Sequence, residues 1–106
     1  MKQDKLLSLL GLAKRAGKIQ SGAFLAEKSV TSGRARLVIV ASDASGNTKK
    51  RFKDKCTFRH IPMYIHADKE TLGAAIGEEE RSVVSVEDEG FAKALGSIAQ
   101  DLLENA

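Results

Sequence analysis

The sequence predicts an α/β protein, a three-layer α/β/α sandwich built on a small mixed four-stranded sheet. Segments with helical periodicity alternate with short apolar runs along the chain, as in βαβ folds. Residues 36–41 form a largely apolar, β-branched run, which is typical of a central strand covered on both faces. A chain of 106 residues is long enough for one packed core and too short for two, so we expect a single domain.

Five helices are predicted from apolar residues at helical spacing and from the residues that flank them. The first spans about residues 4–16 and buries a leucine face, with Gly17 at its end. The second begins near residues 21–22, ends at Gly33, and buries Phe24, Ala26 and Val30 to varying degrees. The remaining three are expected at about residues 48–58, 68–76 and 88–103, the last with Phe91, Leu95, Ile98 and Leu102 on one face.

Four extended segments are predicted between these helices. They are residues 18–20, 36–41, 62–66 and 82–86. The third is entered through Pro62, and the fourth is rich in valine. The polar segment 42–47 contains several capping residues and is expected to lead into the third helix.

Charge is distributed unevenly along the chain. Residues 1–60 carry 14 Lys/Arg against 4 Asp/Glu, whereas residues 61–106 carry 3 against 10. This polarity predicts one basic region suited to phosphate, unless folding intermixes the two halves. Because no apolar run approaches the roughly 20 residues that span a bilayer, we expect a cytoplasmic protein without a membrane partner.

Catalytic patterns are absent from the sequence. His60 and His66 have no partner at ligand spacing, and neither a nucleophile elbow nor a phosphate loop of the Gly-Lys-Ser/Thr type occurs. The single cysteine, Cys56, is interpreted as a partly buried small side chain rather than as a reactive thiol. The run Glu78 to Glu80 is more typical of a solvated loop than of a metal site. We therefore predict no enzymatic activity, no cofactor and no metal.

Three clusters of cations are better candidates for function, because neutralising phosphates requires clustered Lys/Arg. They are Lys14-Arg15 with Lys18, Arg34 with Arg36, and residues 49–55. The third cluster could equally be the solvated face of a helix. Gly22 lies where the second helix begins, and backbone N–H groups at such a point form a phosphate-facing site when a glycine allows close approach. An ordinary glycine turn is the alternative.

Several motifs together resemble one known family. In their order and spacing, these motifs resemble those of the L7Ae-type kink-turn-binding ribosomal proteins. The motifs are Gly22 with Lys28, residues 33–44, Cys56, residues 61–64 and residues 72–77. Residues 12–18 and 90–93 are most similar to the bacterial YlxQ-type branch of that family. The resemblance covers nearly the whole chain.

The resemblance implies an RNA-binding protein whose second-helix loop enters the widened groove of a kinked RNA. The family loop reads Gly-x-Asn-Glu-x-x-Lys; Gly22 and Lys28 match it, whereas Phe24 and Leu25 replace Asn and Glu. Neither Phe nor Leu can read base edges by hydrogen bonding. Phe24 could stack on an unpaired base or pack within the loop. The family's apolar loop before the last strand is acidic here, at residues 78–80.

We therefore predict a monomeric module that binds structured RNA, with ribosomal RNA or the ribosome as candidate partners. The predicted RNA-binding residues are Gly22, Lys28, Lys14, Arg15, Lys18, Phe24 and Arg34. The alternative is a protein-interaction adaptor that retains the fold and has lost specific RNA recognition, and an exposed pair at Phe24 and Leu25 would favour it.

Overall fold

A computed structural model describes residues 4–104 of the chain. Helices and strands alternate along it in nine elements. In chain order these are α1 (Lys5–Arg15), β1 (Ile19–Ser21), α2 (Ala23–Thr31), β2 (Leu37–Val40), α3 (Gly46–Arg59), β3 (Met63–Ile65), α4 (Lys69–Ala75), β4 (Val83–Val86) and α5 (Glu89–Glu104). None of the helices in this part of the chain is long and apolar enough to cross a membrane.

The four strands form one mixed sheet in the order β1-β4-β2-β3. β4, the last strand in the chain, lies between β1 and β2 and is antiparallel to both, whereas β2 and β3 are parallel. In the β1–β4 pair, Ser21 is opposite Val84. The end of β1 is thus held by a buried strand whose paired residue lies 63 residues further along the chain, and this pairing also fixes where α2 begins.

Helices cover the sheet on both sides. Every residue of β2 and β4 is buried, as the β-branched run predicts. α2 packs against α3, and α1 packs against α4 and α5, so the helices form two layers. The α/β/α sandwich with a mixed four-stranded sheet is thus confirmed. The leucine face of α1 is confirmed as well, since Leu6 and Leu10 are buried in the core.

Short polar side chains set the helix starts. Asp4, Ser45 and Asp68 each accept a hydrogen bond from a backbone N–H three residues later, at 3.0, 3.1 and 2.7 Å. Because Ser45 is the cap, α3 begins at Gly46, two residues before the predicted start. α2 begins at Ala23, after Gly22 rather than at Ser21.

Two large apolar side chains in the predicted helices are exposed. Phe24 is 79% exposed and Leu102 is 47% exposed. Leu102 shares a face with Leu95 and Ile98 but lies in the last turn of α5. Phe24 lies two and six residues before Ala26 and Val30, so it points away from the buried face that these two residues form. The apolar face of α5 is therefore identified correctly, whereas Phe24 does not belong to the buried face of α2.

Candidate functional site

The turn that opens α2 has a conformation that glycine alone adopts readily. Gly22 has φ 92° and ψ 151°, and its N–H donates to the carbonyl of Val83 at 2.8 Å. Within the described residues, no side chain caps α2. The first N–H groups of a helix lack intrahelical acceptors, so these amides are available to an anion in this turn. The turn is a preformed feature, since β4 fixes its position.

Two large apolar side chains project into solvent beside these amides. Phe24 is 79% exposed and Leu25 is 46% exposed. The interpretation of Phe24 as a core residue is therefore wrong, and its ring is free to meet a ligand. An exposed aromatic ring next to a helix N-terminus combines a stacking surface with hydrogen-bond donors.

Lys28 lies in the same helix, one and a half turns beyond the glycine. Its side chain is exposed and forms no hydrogen bond or ion pair within residues 4–104. Helical side chains incline toward the N-terminus. Lys28 is about 9 Å along the axis from Gly22, so its long side chain is within reach of a ligand seated on the turn.

A carboxylate and two cations lie on the other side of the turn. Glu78 contacts Lys14 Nζ at 3.2 Å through Oε1 and Arg81 Nη2 at 3.1 Å through Oε2. Arg81 Nε in turn donates to Ser21 Oγ at 3.4 Å. This chain of contacts brings Lys14 and Arg81 to the residue that precedes Gly22.

Arg81 is absent from the predicted RNA-binding residues, because it lies in a loop whose sequence is mainly acidic. No local sequence signal marks it, since only the register of β4 on β1 brings the start of β4 next to Ser21. The backbone of this loop packs closely on α4, because a Cβ on Gly73 would overlap the carbonyl group of Glu79. The loop is therefore held against the site by its backbone.

The other predicted cations lie at the opposite end of β4. Arg34 Nε contacts Glu87 Oε2 at 3.3 Å, and Glu87 also accepts from Ser29 Oγ at 2.6 Å. The backbone of Lys18 accepts from the N–H of Glu87 at 2.8 Å. Val83 and Glu87 are four residues apart along an extended strand, so these cations lie about 13 Å from the Gly22 turn.

Glu87 is a fixed anion in this second group. Burial acts to raise the pKa of Glu87, but hydrogen bonds from Ser29, Arg34 and Gln20 outweigh it and hold the pKa below its usual value. Arg34 is thereby partly neutralised. Lys18 is exposed, and its side chain has no ion pair within the described part of the chain.

Arg15 lies on a third surface. It lines an open groove of about 610 Å³ between α1 and α4, together with Leu12 and Ala74. The structure thus brings Gly22, Phe24, Lys28 and Lys14 into one area and places Lys18, Arg34 and Arg15 outside it. The basic and acidic halves of the chain are partly intermixed, since Lys14 and Arg34 both pair with carboxylates from the second half.

Cys56 is buried in α3, more completely than the partial burial that was predicted. Only 1% of it is exposed, and burial raises the pKa of its thiol to about 11, despite the opposing charge of Arg59. A thiol of this kind is almost entirely protonated near neutral pH and is a poor nucleophile. The arrangement therefore does not support thiol chemistry at this position.

Comparison with known proteins identifies the family. A sequence profile of the ribosomal protein L7Ae/L30e/S12e/Gadd45 family matches residues 4–96. The chain belongs to this family. The L7Ae-type resemblance of the sequence motifs is thereby confirmed.

Two bacterial proteins of the YlxQ type are similar to this L7Ae-family chain over most of their lengths. The RNA-binding protein YlxQ of Bacillus subtilis (strain 168) is 46% identical over 90 residues, which cover 85% of this chain and 90% of that protein. The RNA-binding protein YlxQ of Enterococcus faecium is 38% identical over 91 residues, covering 86% and 87%.

Solved structures show the same L7Ae-family fold. A protein of unknown function from Bacillus halodurans C superimposes with a TM-score of 0.90 at 42% identity, covering 92% of this chain and 99% of that one. The Giardia lamblia 15.5kD RNA binding protein superimposes with a TM-score of 0.80 at 23% identity, covering 100% and 94%. At that identity, the second likeness concerns the fold alone.

Proposed function

We propose that this protein binds structured RNA at the turn that opens α2. The observation that carries the proposal is the glycine turn at Gly22, where, among residues 4–104, no side chain caps the helix, Lys28 has no ion pair and Phe24 is exposed. Family membership supports the proposal, as do the two YlxQ relatives, which are named RNA-binding proteins.

Each group at the turn has a distinct role in this proposal. The amides after Gly22 receive a phosphate oxygen, because a helix N-terminus carries partial positive charge and outward N–H donors. Lys28 reaches back to the same phosphate or to a base edge. Phe24 stacks on a base that has left its helix, as exposed aromatic side chains do in other RNA readers.

The remaining cations contribute mainly to long-range attraction. Lys14, Arg15, Lys18 and Arg34 raise the positive potential around the RNA, and their contribution falls as salt screens it. Lys14 and Arg34 already have carboxylate partners, so part of the positive charge of each is neutralised before RNA approaches. We expect Lys28 to contribute more than either.

The RNA class that fits best is a kinked or looped RNA with an unpaired base, such as a segment of ribosomal RNA. A shape-directed contact suits this turn better than base-edge hydrogen bonding does, because Phe24 and Leu25 carry no side-chain donor or acceptor. A monomer suffices for this proposal, since all of the groups it uses lie in one chain.

A second candidate function is a protein-interaction adaptor on the same fold. The exposed pair Phe24 and Leu25 favours it, since adjacent apolar side chains in solvent often mark a protein contact. Such a contact would depend little on salt, whereas phosphate binding depends on it steeply. Salt dependence therefore separates the two functions.

The experiment is a titration of the protein against a labelled kink-turn RNA and a matched unkinked duplex, at about 50 and about 200 mM salt. The proposal expects tighter binding to the kinked RNA at both salt concentrations. Equal binding that disappears at the higher salt would reduce the function to nonspecific phosphate attraction. No binding to either RNA would favour the adaptor.

A further inference from the structure

α3 carries the densest positive charge in the chain, and the proposed site at α2 does not use it. Its 14 residues contain six Lys/Arg and one Asp. Phe52 and Cys56 face the core, so the cations occupy the remaining sides of the helix. A single helix with this balance is complementary to a chain of phosphates.

The cations along one side of α3 are aligned. Arg51, Lys55 and Arg59 are spaced four residues apart and therefore form one stripe about 12 Å long. Glu27 of α2 lies 3.6 Å from both Arg51 Nη1 and Lys55 Nζ. These distances exceed the usual range of hydrogen bonds, so Glu27 attracts the two cations without taking up their N–H donors. One carboxylate therefore serves two cations, and the stripe keeps an excess of positive charge.

An exposed aromatic ring lies at the end of the stripe. Phe58 is 77% exposed, and the guanidinium carbon of Arg59 lies 5.4 Å from the centroid of its ring. Burying an apolar ring is favourable, so an isolated Phe in solvent contributes nothing to the fold. Next to a row of cations, such a ring gives a base a surface to stack on, and this combination is typical of single-stranded nucleic-acid contacts.

We propose that the side of α3 from Arg51 through Lys55 to Phe58 and Arg59 is a second RNA-contacting surface, which takes a single-stranded segment. Phosphates lie along the cation stripe, and one base stacks on Phe58. This inference rests on the proposed function, from which it takes RNA as the partner. It uses different residues from the Gly22 turn, although Glu27 and Lys28 are neighbours and one RNA can reach both surfaces.

Phe58→Trp provides a direct reporter, because the chain contains no tryptophan. The substitution is made at an exposed position, so the fold should be retained. We expect a short oligoadenylate to quench the tryptophan emission, and polyphosphate, which has charge but no bases, to leave it unquenched. Absence of quenching, or equal quenching by both polymers, would overturn the proposal.

Two further variants measure the energetics in the otherwise unchanged protein. Phe58→Ala should weaken oligoadenylate binding by about 5- to 150-fold, which corresponds to the loss of one stacked base. The double variant Lys55→Gln with Arg59→Gln should make the salt dependence of binding less steep. The slope of log affinity against log salt concentration should decrease in magnitude by about 0.7 for each cation removed. Lys93→Gln on α5 is the matched control, and it should leave affinity and slope unchanged.

Lys28→Ala, tested in the Phe58→Trp protein, distinguishes this inference from the proposed function. If Lys28→Ala weakens kink-turn binding while Phe58→Trp emission never responds to RNA, the inference fails and the proposed function stands. If quenching persists and Lys28→Ala has no effect on kink-turn affinity, the α3 surface binds RNA and the site at α2 is wrong.

Discussion

Arg81 Nε lies 3.4 Å from Ser21 Oγ, so the loop before the last strand is joined to the residue before the α2 turn. Glu78 connects this pair to Lys14. A carboxylate that holds two cations beside an anion-facing turn competes with any phosphate that approaches them.

Glu78→Gln should therefore strengthen RNA binding and steepen its salt dependence. The variant releases Lys14 and Arg81. Each cation that then contacts phosphate increases the magnitude of the slope of log affinity against log salt concentration by about 1. Fluorescence anisotropy against kinked RNA over a salt series measures both effects. Glu79→Gln removes the same charge from an exposed neighbour that has no ion pair among residues 4–104, so an equal gain in both variants would contradict the specific role of Glu78.

Gly22→Ala should destabilise the fold. Its φ of 92° and ψ of 151° lie in a region that residues with a Cβ rarely adopt, and this strain costs about 1–3 kcal/mol in the free energy of unfolding. A Cβ at Gly22 would meet no other atom within 4 Å, so the cost comes from the backbone rather than from a clash. Gly46→Ala, at an unstrained open position, is the control in urea unfolding, and equal loss in both variants would refute the explanation.

The hydrogen-bonded Glu87 should make stability depend on pH. Because its pKa is lower in the folded state than the usual value of about 4.5, Glu87 stabilises the fold fully above that value. The contribution is lost as the pH falls through the folded pKa. The melting temperature of the protein should thus exceed that of Glu87→Gln at pH 7, and the difference should shrink below about pH 4.5. A difference that is constant with pH would contradict this assignment.

Much of the fold could be predicted from the sequence because local patterns encode it. The buried run of β2 and the leucine face of α1 depend on residue types at short spacing, and the structure agrees with both. Gly22 could also be recognised, since an uncapped glycine before a helix is a local signal. The helix termini were less accurate, because caps such as Ser45 depend on side-chain geometry.

The composition of the candidate site could not be predicted in the same way. Arg81 and Ser21 are 60 residues apart, and only the register of β4 on β1 brings them together. The division of the cations into separate groups has the same origin, since Arg34 follows Glu87 to the far end of β4. The exposure of Phe24, by contrast, agrees with helical spacing, since a residue two and six positions before Ala26 and Val30 lies off the face that they form.

Lys28→Ala should weaken binding to kinked RNA and lower the steepness of its salt dependence, the slope of log affinity against log salt, by about 1. It removes a cation close to the turn that has no ion pair in the described part of the chain. Titration at matched salt measures both quantities. Lys93→Ala, which removes an exposed cation from α5, should leave them unchanged. If the two variants lose affinity equally, Lys28 contributes only net charge and does not belong to the site.

An NMR titration of the 15N-labelled protein with kinked RNA follows each backbone amide and shows directly which surface the RNA contacts. The amides of residues 22–25 should shift most, and the amide of Arg81 should shift with them. Their chemical-shift changes should saturate at the RNA concentrations that the affinity measured by anisotropy predicts. RNA binding that leaves residues 22–25 unshifted while other surfaces respond would contradict the assignment of the α2 turn as the RNA site.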